Sequence, residues 1–199
     1  MVEIDKIISD KYDNMWNMVD NHDDRIFIKT PDAKGILARG IKHFVGENAV
    51  WLDEYEQVAE WLEDNKGLGL FCAGTVGRGK SIICQKVLPV IFEYWHRKIM
   101  NTVTATDLND RFEEFSQYKI ISIDDIGVEP DASRYGEKHN YIKEIIDLAE
   151  RKQKLLVITT NLPVDEITIR YGVRSVDRLR AITKYVSFAG DSLRGRKAE

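Results

Sequence analysis

Residues Gly74-Thr75-Val76-Gly77-Arg78-Gly79-Lys80-Ser81 sit between a run that reads as a buried strand, Gly69-Leu70-Phe71-Cys72-Ala73, and an apolar helical run from Ser81 to Leu88. The spacing G-x-x-x-x-G-K-[ST] at a strand-to-helix turn narrows the fold sharply. Its glycines let successive backbone N–H groups close around one anion, and the helix N-terminus adds partial positive charge. In that setting Lys80 would reach the β- and γ-phosphates of a nucleoside triphosphate, and the Ser81 hydroxyl would ligate Mg²⁺. All eight residues from Gly74 to Ser81 are therefore candidate nucleotide ligands.

A phosphate loop needs an α/β sheet around it, and the downstream sequence supplies one. Strand and helix patterns alternate from Gly67 onward, predicting a five-stranded parallel sheet flanked by helices. The predicted strands are 69–73, 100–104, 119–123, 155–159 and 185–188. Helices are expected over 107–117, 140–153, after Pro163 and from about Ser175. Pro89, inside the long helix that follows the loop, predicts a kink or an early end there. Upstream, Ile4, Ile7, Ile8, Met15 and Met18 recur at helical spacing, Thr30-Pro31-Asp32 reads as a helix start, and 52–63 carries an apolar stripe. Residues 1–65 are thus expected to be a helical, acidic extension, and 66–199 the nucleotide-binding core.

Composition sets the outer bounds. The 199 residues are 43% hydrophobic and 31% charged, as in a globular protein. No apolar run approaches the roughly 18–20 residues of a membrane span, so a cytoplasmic protein without a membrane partner is expected. Cys72 and Cys84 flank the loop without metal-ligand spacing and are expected to be buried, reduced thiols. Up to Asn65 the chain carries 15 Asp and Glu against 7 Lys and Arg, a net of −8, and the remainder carries +4. Much of that excess lies in Arg170, Arg174, Arg178, Arg180, Lys184, Arg194, Arg196 and Lys197. Two readings stand: an ordinary solvated surface, or a basic face for nucleotide phosphates or nucleic acid.

The third predicted strand ends in Asp124-Asp125, where two carboxylates emerge beside the loop. Asp124 is placed to hold Mg²⁺, directly or through water, and Asp125 to orient and activate an attacking water as general base. The fourth strand ends in Thr159-Thr160-Asn161. Asn161 either hydrogen-bonds the γ-phosphate or the water, or simply starts the next turn. Arg174 and Arg178, one helical turn apart, offer positive charge to a γ-phosphate transition state, in the manner of an arginine donated by a neighbouring subunit.

These pieces, with Gly127 after the paired acids, Tyr171-Gly172 before the arginines and Leu179 after them, resemble the AAA+ ATPases of the DnaC/DnaI helicase-loader and IstB transposition-helper group. The resemblance covers about 67–194 and ends in Gly190-Asp191-Ser192-Leu193-Arg194, similar to the short tail those proteins carry instead of a full helical lid domain. It implies an AAA+ core that hydrolyses ATP with Mg²⁺, assembles into a homo-oligomer with ATP, and acts on DNA beside a replicative helicase. It further implies Arg174 or Arg178 as a trans-acting arginine finger and Arg194 as the cis arginine called sensor 2. The leading expectation is a helicase loader that contacts single-stranded DNA. The alternative is an IstB-like helper acting on duplex DNA with a transposase. A metabolic P-loop kinase would need an acceptor site and a mobile lid, and the sequence offers neither.

Overall fold

The computed structural model describes residues 23–130, 132–134 and 137–194; the expected first helix, 2–19, and the cations Arg196 and Lys197 lie outside them. In chain order the elements are α1 (Ala33–Val45), α2 (Asp53–Glu63), β1 (Gly69–Gly74), a long helix α3, β2 (Asn101–Thr104), α4 (Ala105–Phe115) and β3 (Ile120–Asp124). There follow a hairpin of β4 (Ala132–Arg134) and β5 (Glu137–His139), then α5 (Tyr141–Arg151), β6 (Leu155–Thr160), α6 (Val164–Tyr171), α7 (Val173–Ile182) and β7 (Thr183–Phe188). Helix α3 is composite: Lys80–Ile82, one π turn over Ile83–Val87, then Leu88–His96. After β7, the described residues 189–194 form no helix.

Five strands make one parallel sheet in the order β2-β3-β6-β1-β7. Alternation along each strand sorts the core into two layers, because successive side chains leave opposite faces. Leu70, Cys72, Leu155, Val157, Ile120 and Val186 pack on one face with α1, α2 and α3. Phe71, Ala73, Leu156, Ile158, Ile121 and Ile123 pack on the other with residues of α4 to α7. Ile28, Leu37, Val58, Trp61 and Leu62 belong to the first layer. The described part of the expected N-terminal extension is therefore continuous with the core that holds the phosphate loop.

Pro89 neither ends nor sharply breaks α3. The π turn just before it absorbs the defect: the Leu88 N–H donates to the Ile83 carbonyl, five residues back. That shift leaves the Cys84 carbonyl without a helical donor, since Pro89 has no N–H. Ser122 on β3 fills the gap, donating its hydroxyl to that carbonyl at 3.0 Å while accepting from Gln85 Nε2 at 2.9 Å. The hairpin between β3 and α5 was not expected, because 126–139 carries no periodic apolar pattern long enough to signal a strand.

The sheet order matters for function. β6 lies between β3 and β1, so the C-terminal tips of β3, β6 and β1 stand side by side. The residues that follow these three strands are the paired aspartates, Asn161 and the phosphate loop, and open α/β sheets bind ligands beyond such strand tips.

Candidate functional site

Beyond those tips lies a cleft of about 700 Å³ lined by Val76, Gly77, Gly79, Lys80, Ser81, Asp124, Asp125, Thr159, Asn161, Leu193 and Arg194. It continues past Ile82 to Ile41, Val45 and Asn48 to Val50. That the α1–α2 segment would reach this site was not legible in the sequence, since its apolar residues read only as core.

The loop is held from behind. Gly79 has φ +89°, and a Cβ there would stand 2.4 Å from the Tyr55 hydroxyl, so only glycine fits. That hydroxyl donates to the Arg78 carbonyl at 2.8 Å, and burial pushes its pKa up to about 12. The Arg78 guanidinium turns away from the cleft. It forms a nearly buried ion pair with Glu54 at 2.6 Å and donates to the Asp191 carbonyl at 3.2 Å. Arg78 was expected among the nucleotide ligands, but its side chain instead ties the loop to α2 and to the tail. The Thr75 N–H is likewise committed, donating to the Phe188 carbonyl at 2.8 Å. Behind Gly77, the Leu193 N–H donates to the Gly77 carbonyl at 3.0 Å, which brings Arg194 to the cleft wall.

Two short chains of hydrogen bonds organise the strand tips. In the first, Lys80 Nζ donates to the Gly74 and Thr75 carbonyls at 2.6 and 2.8 Å and to Asn161 Oδ1 at 2.8 Å. Asn161 Nδ2 then donates to Asp125 Oδ1 at 2.6 Å. Asn161 therefore bridges the loop lysine and the second aspartate, which a residue merely starting a turn would not do. In the second, Ser81 Oγ and Thr159 Oγ1 both donate to Asp124 Oδ1, at 2.9 and 2.6 Å. Thr159 Oγ1 also accepts the Asp125 N–H at 2.8 Å. Asp125 adopts the left-handed region, φ +58°, so the chain turns sharply and both carboxylates face the cleft. The place of Thr159 in this clamp went unnoticed in the sequence, where it read as the end of a buried strand.

Electrostatics follows from burial. Lys80 is buried, which lowers its pKa, while Asp125 and Asp124 nearby oppose that shift. Asp125 is pushed above the usual carboxylate range by burial first and by the Asp124 charge second. The Ser81 hydroxyl and Asp124 carboxylate supply hard oxygen donors suited to Mg²⁺, which takes one or two carboxylates and fills its remaining positions with water and phosphate. Among the described residues no cluster of three or more His, Cys, Asp or Glu could hold a metal. Cys72 and Cys84 are buried free thiols with sulfurs 3.9 Å apart, and the hydrogen bond to Cys72 first and burial next push the Cys84 thiol up.

Half of the described cations of the expected basic face are engaged in ion pairs. Arg170 joins Glu129 at 3.1 Å, Arg178 bonds Asp147 and reaches Glu150 at 2.8 Å, and Lys184 meets Glu60 at 3.0 Å. Glu129, buried in the loop after the aspartates, also accepts the Tyr171 hydroxyl at 2.6 Å. Neither Arg174 nor Arg178 lines the cleft of its own chain. Arg178 is occupied on α5, whereas Arg174 is exposed and has no ion-pair partner among the described residues.

Sheet order, phosphate loop and paired aspartates together define a parallel α/β fold with a phosphate-binding loop at the strand tips. No protein-family model matches the chain, and no curated protein matches it by sequence. Among solved structures it is similar to domain III of the replication initiation protein DnaA from Thermotoga maritima, at 17% identity and a TM-score of 0.51, over 72% of this chain and 65% of that one. It is also similar to AMPPCP-bound DnaA from Aquifex aeolicus, at 14% identity and a TM-score of 0.50, over 73% and 50% of the two chains. A DnaC helicase loader aligns over 81% of this chain and 93% of its own at 17% identity, with a TM-score of 0.48. The two DnaA likenesses establish the shared fold. Among the described residues no helix is long and apolar enough to cross a membrane.

Proposed function

We propose that this chain is a DNA-replication ATPase that loads or remodels a replicative helicase, hydrolysing ATP at a site shared between neighbouring subunits. The observation that carries the ATPase reading is the bridge from Lys80 through Asn161 to Asp125, beside the Ser81–Asp124 pair. The AMPPCP bound in a structure of this fold supports a nucleoside triphosphate as ligand. The resemblance of the loop, strand ends and Tyr171-Gly172-x-Arg174 segment to helicase loaders supports the client.

Lys80 offers its ammonium to the β- and γ-phosphates, and the N–H groups around Gly77 and Gly79 cradle them. Ser81 and Asp124 would hold a Mg²⁺, which would supply positive charge to offset that of the phosphates. Asp125 takes the proton of the attacking water; its oxygen bonds to the γ-phosphorus as the bond to the bridging oxygen breaks, giving ADP and phosphate. The raised proton affinity of Asp125 suits that role. Through its two hydrogen bonds Asn161 keeps base and lysine in register. Arg194 stands on the cis side of the cleft, and Arg174 of a neighbouring subunit supplies trans charge to the γ-phosphate. Arg178, tied to Asp147 and Glu150, is the structural member of the pair. Among the described residues of the basic face, exposed Arg180 remains for single-stranded DNA, with Arg196 and Lys197 following in sequence.

Mixing variants tests the shared site. Lys80→Ala and Arg174→Ala should each be inactive alone, and their mixture should recover part of the ATPase activity. A mixture as dead as its components removes Arg174 as a trans residue. An Arg178→Ala protein should keep its ATPase activity and melt lower. A pull-down with the replicative helicase that shows no ATP-sensitive complex would remove the loader role and leave the ATPase standing.

A further inference from the structure

At the opposite end of the sheet the N-terminal feet of the strands carry a row of cations. Asn101 pairs with Ile121 and Ile120 with Leu155, so below the ladder Ile99 flanks Lys119, and Lys119 flanks Lys154. The Leu155 N–H to Lys119 carbonyl bond, 3.0 Å, fixes that alignment. Arg97 and Lys98 extend the row on one side and Lys152 on the other. Among the described residues Lys119 Nζ bonds only the Lys152 carbonyl, at 2.9 Å, and Lys154 Nζ only the Tyr118 carbonyl, at 2.6 Å. Among the described residues none of these five cations has a carboxylate partner. Burial and the charges of Lys119 and Lys152 lower the pKa of Lys154, as expected where like charges crowd without a counter-ion. Beside the row, Tyr94 is 62% exposed and Ile99 74%, with the Trp95 ring 4.3 Å from that of Tyr94.

Three facts point to one occupant. Residues 1–22 carry five Asp and Glu against two Lys, a net of −3. Their Ile4, Ile7, Ile8, Met15 and Met18 recur at helical spacing, giving an apolar counterpart to Tyr94, Trp95 and Ile99. The described chain starts at this rim: the Asp24 N–H donates to Gln153 Oε1 at 2.5 Å, between Lys152 and Lys154. Two strand spacings, roughly 10 Å, separate that point from Ile99. A tethered segment therefore meets the rim at high effective concentration. We propose that the basic and aromatic rim at the feet of the sheet docks the acidic segment 1–22 of the same chain.

This inference stands apart from the ATPase reading. Carbodiimide coupling of the full-length protein tests it, because the reagent joins a carboxylate to a touching lysine Nζ as an amide and takes up the water released as its urea. Mass spectrometry should find links from Asp5, Asp10, Asp13 or Asp20 to Lys98, Lys119 or Lys152 within single chains. The Lys98 links should be lost in Lys119→Glu/Lys152→Glu. They should be lost too in Ile4→Ser/Ile8→Ser, with an unchanged melting temperature checking that the variant is folded. Absence of links, or links between chains in an isotopically mixed sample, overturns the proposal. So does binding of a single-stranded oligonucleotide that Lys119→Glu/Lys152→Glu abolishes and removal of 1–22 leaves unchanged, which would make the rim a nucleic-acid surface.

Discussion

The two ends of one sheet treat charge in opposite ways. At the C-terminal tips, Lys80, Asp124 and Asp125 each bond a side chain from a neighbouring strand or helix, and Thr159 and Asn161 link the sets. At the N-terminal feet, among the described residues, Lys119 and Lys154 bond only backbone carbonyls, and the charges of Lys119 and Lys152 bear on Lys154. A parallel sheet makes both arrangements available, since every crossover starts at the tips and returns at the feet. At the tips, side chains fix the position of the charges through hydrogen bonds. The feet gather charge without neutralising it, which leaves a surface suited to an anion that arrives from outside the core.

Breaking the tips should give the largest effect. Lys80 Nζ bonds two carbonyls of the loop and faces the cleft, so Lys80→Ala should weaken ATP affinity by roughly 10²-fold or more, about 2.7 kcal/mol. Isothermal titration checks this, and near-native affinity would show that the loop N–H groups alone hold the phosphates. Asp125→Asn should be milder on binding and severe on chemistry, with turnover falling about 10²–10⁴-fold and ATP affinity nearly kept. The folded pKa of Asp125 lies above its unfolded value, so the folded chain binds the extra proton. Folding stability from this group is therefore lost as pH rises through that window. Asparagine carries no such term, and the variant should melt no lower than wild type at neutral pH. Its advantage should fade as acid protonates the native aspartate. A variant that melts well below wild type would mean that Asp125 is chiefly structural.

How much of this contrast the sequence could reveal depends on how local each interaction is. Lys80, Ser81, Asp124 and Asp125 could be placed together at the cleft because their positions follow from adjacent residues: a glycine pattern, a strand end, a polar pair after an apolar run. Asn161 was readable as a candidate, although its bridge to Asp125 spans 36 positions. The fates of Arg170, Arg178 and Lys184 were not, because their carboxylates, Glu129, Asp147 and Glu60, come from other elements. Arg78 misled for the same reason, being inside the motif in sequence and paired with Glu54 in space. Ser122 looked like a small filler in a buried strand, and only the π turn forced by Pro89 gives its hydroxyl a purpose. The lysine rim is the extreme case, since its members precede three different strands and meet only when the sheet forms.

The smallest effect should come from the feet, and its sign is diagnostic. Lys154 holds its proton less tightly when folded than its ordinary value of 10.5, from burial first and from Lys119 and Lys152 next. Below the folded pKa both states are protonated, and the cost of the crowded ammonium is fully present. Between the folded pKa and 10.5 the unfolded chain binds more protons, so raising pH favours the folded wild type. Lys154→Met lacks this term while losing the hydrogen bond to the Tyr118 carbonyl, a cost that pH does not change. Urea unfolding of both proteins at about pH 7.5 and about pH 10 should therefore show wild type gaining on the variant as pH rises. Lys119→Met, measured against wild type in the same way, removes one of the crowding charges and should shrink that gain without abolishing it. A difference that stays flat with pH would mean that the feet are neutralised as thoroughly as the tips, and the contrast between the two ends would fall.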